Sequence, residues 1–137
     1  STGRGVVAFE EPMRGSDPAT KGGGMSTHNL NWDAVDWVQA RPGMERKTFA
    51  GEGATLALFR IQPGHERRPH SHHYEQIVYM LRGTANFHVG DEVHLLTGGC
   101  LLVIPPHVTH YIDVQGDEEV LELDVFTPKR PEYGGGA

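Results

Sequence analysis

The sequence predicts an all-β domain, a sandwich or barrel of antiparallel strands, on three observations. Short runs rich in β-branched and aromatic residues are separated by turn signals roughly every eight to twelve residues. Eighteen glycines and nine prolines among 137 residues supply that punctuation. No segment holds a helical hydrophobic period for more than a couple of turns. The length suits one domain whose core is just large enough to stand without disulfides.

Taken in order, residues 1–24 lack sustained periodicity and end in a glycine run. They are expected to form a disordered leader or a vector-derived segment ahead of a single domain spanning 25–137, whose GGGA end is a loose tail. Within the leader, VVAF offers an edge strand. Asn29 to Pro42 carries Trp32 and Trp37 with neither helical nor strand period, and reads as an arm packing its tryptophans on the sandwich or on a second subunit. Met44 to Phe49 and Ala54 to Gln62 read as a hairpin around Gly51-Glu52-Gly53. In TLALFRI both faces are mainly apolar, as expected when one covers a cavity and the other a neighbouring sheet or subunit. Further strands follow as IVYMLR, TANFHV, EVHLL, CLLVIP, HYIDV and EEVLELDVF, with turns at Gly83, Gly90-Asp91, Thr97-Gly98-Gly99 and Gly116-Asp117.

Composition excludes several functions. The net charge of −6 argues against nucleic acid as a partner, because phosphate binding needs concentrated basic surface. No apolar run approaches twenty residues and nothing resembles a signal peptide, so no membrane span and a cytoplasmic setting are expected. The single Cys100 cannot form an internal bridge and, inside CLLVI, reads as a buried inert thiol.

Chemistry concentrates in Gly64 to Gly83, GHERRPHSHHYEQIVYMLRG. His70, His72 and Gln76 stand at i, i+2 and i+6, so on a strand they would share one face. Glu75 would point to the other face. A second stretch, GCLLVIPPHVTH, brings His110 after the rigid Pro105-Pro106 turn. Three imidazoles and an amide oxygen would leave two positions open on an octahedral divalent ion, for which Ni, Zn, Mn, Fe or Co is suitable. The plainer alternative, a histidine cluster without metal, leaves buried ring nitrogens unpaired at a cost. His28, His65, His73, His88 and His94 read as solvated or structurally hydrogen-bonded.

The last strand carries LELDVFTPKR, where Glu122, Asp124 and Phe126 share one parity. Either that parity is a solvent face, or Asp124 and Phe126 line the cavity, with Asp124 poised as a general acid/base and Arg130 able to clamp a carboxylate.

The two histidine stretches resemble the paired motifs of the cupin superfamily. Gly64, five residues, His70-x-His72, position 76, six residues and Gly83 follow the first motif. Pro105, His107 and His110 follow the second. Gln76 stands where most cupins carry a glutamate, and His107 where glycine is usual. The resemblance spans roughly residues 30 to 131 and implies a jelly-roll barrel, a double-stranded β-helix. With Asp124-x-Phe126 and Arg130, Gln76 is similar to the pectin-degradation cupins of the KdgF family, which ketonise 4,5-unsaturated monouronates. That likeness implies His70, His72, Gln76 and His110 as metal ligands and Asp124, Phe126 and Arg130 as pocket residues. The expected function is therefore metal-dependent isomerisation of a small acidic sugar by a homodimer. An Fe(II) dioxygenase of a small molecule and a non-catalytic metabolite- or metal-binding cupin are the alternatives.

Overall fold

The computed structural model describes residues 27–133. The leader expected at 1–24, its VVAF strand and the tail at 134–137 lie outside the described residues. Everything below concerns the unit that begins at Asn31.

Among the described residues nine strands form two sheets: β1 (Val38–Arg41), β2 (Met44–Ala50), β3 (Thr55–Ile61), β4 (Glu75–Arg82), β5 (Thr84–Val89), β6 (Glu92–Leu96), β7 (Leu101–Ile104), β8 (His110–Gln115) and β9 (Val120–Thr127). The larger sheet runs β1-β2-β3-β9-β4-β7 and the smaller β6-β5-β8, antiparallel throughout. This is the all-β architecture that the turn spacing predicts, in the jelly-roll form that the resemblance implies. No helix among the described residues is long and apolar enough to cross a membrane.

Strand alternation decides what lies between the sheets. On β4 Gln76, Val78 and Met80 are buried, while Glu75, Ile77, Tyr79 and Leu81 face out. Phe59 and Ile61 of β3, Phe87 of β5, Ile104 of β7 and Val120 of β9 complete the apolar core. Burial of this set removes each larger side chain from water at about 1.5–3 kcal/mol apiece. On β9 the alternation runs against the usual polarity. Glu122 and Asp124 face inward and Leu121, Leu123 and Val125 face outward. Two carboxylates buried in the middle strand of a sheet need a reason other than stability.

The chain crosses from the large sheet to the small one at Gly83, between β4 and β5. Its φ of +95° suits glycine, and a Cβ built there would stand 2.8 Å from Val120 Cγ2 and 2.9 Å from the Glu119 carbonyl oxygen. Backbone cannot yield as a flexible side chain would. Gly83→Ala is therefore expected to destabilise the domain by about 3 kcal/mol or more, from the left-handed conformation and the overlap together. Urea denaturation measures it, and a loss under about 1 kcal/mol would show that the corner relaxes.

Three local expectations change. The arm at Asn29–Pro42 is partly regular: a 3-10 turn at Trp32–Ala34 leads into β1 at the sheet edge. Four residues with a bulge are too few for a periodic signal. Trp37 does pack on the sheet, between Lys47 Nζ at 4.7 Å and the Arg60 guanidinium at 4.2 Å from its ring. Cys100 is half-buried rather than buried, its sulfur accepting from Thr97 N–H at 3.4 Å.

The third change concerns the metal motif. His70 and His72 do not lie on a strand with Gln76, because β4 begins at Glu75. Prolines explain the stop. The β4–β7 ladder ends at Gln76↔Ile104, where Pro105 follows, and the β4–β9 ladder ends at Glu75↔Thr127, where Pro128 follows. Neither proline has an N–H to extend a ladder.

Candidate metal centre

With no strand to align them, the histidines are brought together by backbone bonds across the barrel. His70 and His110 exchange both main-chain hydrogen bonds, at 3.1 and 2.9 Å, as an isolated antiparallel bridge. His107 N–H donates to the His72 carbonyl at 2.7 Å. His107 adopts φ 69°, the left-handed conformation that glycine would take without strain. The turn at this residue thus closes in the glycine-like geometry and ties the two motifs together.

The three imidazoles lie close enough to hold one metal ion, with candidate ligand atoms all within 4.8 Å of one another. Their tautomers follow from the second nitrogen. Nδ1 lies 2.8 Å from the Arg68 carbonyl in His70, 3.1 Å from the Tyr74 carbonyl in His72 and 2.8 Å from the Val108 carbonyl in His110. A carbonyl only accepts, so each Nδ1 carries the proton and each Nε2 presents a lone pair. His110 Nε2 is buried without a hydrogen-bond partner among the described residues. His72 Nε2 lies 3.1 Å from Gln76 Oε1, one acceptor facing another. A divalent cation satisfies all of these atoms at once, so the donor set fits a metal. Burial holds the His70 and His72 pKa values below the usual imidazole range and takes His110 down to about 4, favouring the neutral rings that ligation needs.

Gln76 is buried on the inner face of β4 beside this cluster, and Glu75 is exposed on the other face. Asp124 orients the Gln76 amide. Burial raises the Asp124 pKa to about 6, while hydrogen bonds from Glu122 and Gln76 and the Arg130 charge work the other way. The amide N–H thus points at Asp124 and the amide oxygen at the histidines. Glu122 is pushed well above the carboxylate range, first by burial and then by the Asp124 charge. Burial opposes the charge on both acids, and on Glu122 the Asp124 charge opposes it further. Asp124 Oδ1 has no hydrogen-bond partner among the described residues.

The solvent-face reading of β9 is thereby overturned. Glu122, Asp124 and Phe126 are 2, 3 and 1% exposed and line a cavity of about 50 Å³ with His70, Gln76 and His110. That volume is room for an ion and a few waters. A sugar-sized molecule must rest over it, at the side where His70 and His72 are half-buried. Arg130 lines the same cavity. Its backbone N–H donates to the buried Thr55 hydroxyl at 2.9 Å, its Nε to Glu132 at 3.0 Å, and its guanidinium stacks 4.0 Å from the Tyr133 ring centroid and 4.7 Å from that of Phe126. Tyr74 O–H donates to the same Glu132 at 2.6 Å.

The other described histidines serve elsewhere. His65 is buried, accepting from Val114 N–H at 3.3 Å and donating to the Glu66 carbonyl at 2.8 Å. His88 stacks on Tyr111, His73 packs on Tyr74 and His94 meets Glu92. Two cavity residues escaped the sequence reading as functional groups. Glu122 had a signal, since it shares parity with Asp124. Arg41 had none, because β1 itself was not legible.

The fold agrees with what comparison finds. Residues 57–126 match the cupin domain family. An RmlC-like cupin from Shewanella frigidimarina superposes with a TM-score of 0.72 at 22% identity, covering 80% of this chain and 97% of that one. KdgF from Halomonas sp. superposes with 0.69 at 26% identity, covering 78 and 99%. An oxalate decarboxylase from Lactobacillus farciminis gives 0.65 at 23% identity, covering 72% of this chain and 32% of that one. No curated protein sequence matches the chain. With the family's domain matched over both histidine stretches and the barrel around them, this chain belongs to the cupin domain family.

Proposed function

We propose that this cupin is a metal-dependent enzyme that ketonises a small acidic sugar, a 4,5-unsaturated monouronate, to its linear keto form. The observation that carries the reading is Asp124. It is a buried carboxylate with one oxygen unpartnered among the described residues, held against Gln76 in the cavity that His70 and His110 line. The likeness to KdgF from Halomonas sp. over most of both chains supports it.

The reaction moves one proton and no electrons. Loss of the proton from the anomeric hydroxyl lets the bond between anomeric carbon and ring oxygen break, leaving an aldehyde and an enolate on the former ring oxygen. Delivery of a proton to C4 converts that enolate to a ketone. Asp124 is suited to both transfers, because its pKa is raised towards neutrality and it lines the cavity with one oxygen unpartnered among the described residues. Protonated Glu122 stabilises the ionised Asp124 between transfers by hydrogen bonding. Arg130, locked by Glu132 and its aromatic neighbours, meets the anionic group of the substrate, and Phe126 supplies an apolar wall. His70, His72, Gln76 and His110 would hold one divalent ion, of which Ni, Zn, Mn, Fe or Co suits a mixed N/O set, and when bound it supplies a Lewis acid undiminished by ligand charge.

The test is direct. Metal-loaded protein is expected to remove the ultraviolet absorbance of the conjugated double bond at a rate proportional to protein concentration. A rate no faster than the protein-free solution would discard ketonisation. The reading includes a homodimer, supported by an apolar stripe of Ile77, Tyr79, Leu101 and Val103 across the outer face of β4 and β7. Sedimentation velocity tests it, and a monomer at all concentrations would remove it.

A further inference from the structure

The β1 strand contains an irregularity whose effect is to turn one charged side chain around. Val38 pairs with Arg46 and Gln39 with Glu45, so simple alternation would pair Ala40 with Met44. Instead the register shifts between Gln39 and Arg41, and Arg41 stands opposite Met44. Met44 is buried on the inner face. One inserted residue thus moves Arg41 from the outer parity to the inner one, the usual consequence of a bulge. Both Met44 and Arg41 line the cavity with His70, Gln76, Asp124 and Arg130.

Among the described residues the inward-turned guanidinium has no ion-pair partner. Arg41 is half-buried and makes no ion pair or hydrogen bond among the described residues. Its charged neighbours include Arg68 and Arg46, which repel it, and Glu66, which attracts it without forming an ion pair. Other arginines near this end do have partners: Arg67 has Asp113, Arg68 has Glu66 and Arg130 has Glu132. Removing a guanidinium from water beside like charges is unfavourable unless a ligand compensates it. Arg41 and Arg130 both line the cavity with His70, so their positive potentials overlap there.

We propose that Arg41 is a substrate-binding residue, the second guanidinium of a carboxylate site that it forms with Arg130 over the histidine cluster. Arg130 is fixed in place by Glu132 and the aromatic rings, whereas Arg41 has all of its donors available for a carboxylate. The pair selects a small molecule whose carboxylate stands next to the oxygens that face the histidines. The choice of a uronate as that molecule rests on the proposed function; the carboxylate site does not.

Two probes separate these claims. D-Galacturonate carries the carboxylate but no double bond, and D-galactose is its uncharged counterpart. Calorimetric titration of metal-loaded protein is expected to show at least about tenfold preference for galacturonate, lost in Arg41→Gln and partly kept in Arg41→Lys. Metal content and far-ultraviolet circular dichroism are expected to stay unchanged, since among the described residues no hydrogen bond or ion pair of the Arg41 side chain holds the fold or a histidine. With the unsaturated monouronate, Arg41→Gln is expected to raise KM about ten- to a hundredfold and leave kcat within a few-fold. Absence of the preference in wild-type protein, or its persistence in Arg41→Gln, overturns the assignment. An Arg41-dependent preference in a protein that does not ketonise the unsaturated sugar would keep the carboxylate site and remove only the uronate reading.

Discussion

Replacing His110 by alanine is expected to weaken divalent-metal binding by at least about a hundredfold, more than any change outside the ligand set. The expectation comes from how the three rings are held. Each Nδ1–H is committed to a backbone carbonyl, so each ring has one lone pair to offer and its direction is fixed by the main chain. His110 is the most buried of the three, and the bridge to His70 sets the separation between them. Losing its nitrogen leaves two imidazoles and an amide, too few for a tight site. His72→Ala should act similarly, since its Nε2 faces the Gln76 oxygen. Elemental analysis after dialysis against a weak chelator reads the effect. Thermal denaturation reads it a second way. Metal at a thousand times its Kd stabilises wild-type protein by about 4 kcal/mol, and a site weakened a hundredfold or more keeps about 1.4 kcal/mol or less at the same metal concentration. Retention of one ion per chain by both variants would remove the metal centre.

Much of this arrangement was legible in the sequence, for reasons that differ between parts. The hairpin strands were, because glycine turns and period-two alternation are local properties. The convergence of His70, His72 and His110 was legible only as motif spacing; its stated cause was wrong. A strand through all three first-motif positions needs ladder partners, and Pro105 and Pro128 remove them on both sides. What replaces the strand is a pair of long-range bonds, His70 to His110 and His107 to His72, which no local pattern encodes. The direction of Asp124 could not be settled from parity alone, since alternation says which residues share a face and not which face is inside. Here the apolar parity, Leu121, Leu123 and Val125, is the outer one. Arg41 was hidden for a third reason, a one-residue bulge that reverses parity without any sequence mark.

Asp124→Asn is expected to lower kcat by about a hundredfold or more while leaving metal content and fold nearly intact, the range for a general acid/base group. Three features of the site separate this outcome from simple structural damage. Asn is close to Asp in size, so the packing of β9 against Val78 and Ala57 is kept. The Asp124 charge is held in a desolvated place, so removing it does not strip the fold of a strong ion pair. Glu122, next to it and protonated, supplies the control: Glu122→Gln replaces one neutral group by another and is expected to cost far less turnover than Asp124→Asn. The pH–rate profile adds an independent readout. A base with a raised pKa loses activity as pH falls through that value, so wild-type protein should show an acid limb, and Asp124→Asn should show none at its residual rate. If instead Asp124→Asn and Glu122→Gln reduce kcat equally and both lower the unfolding midpoint, the buried acids are a structural pair. In that case proton transfer belongs to another group lining the cavity.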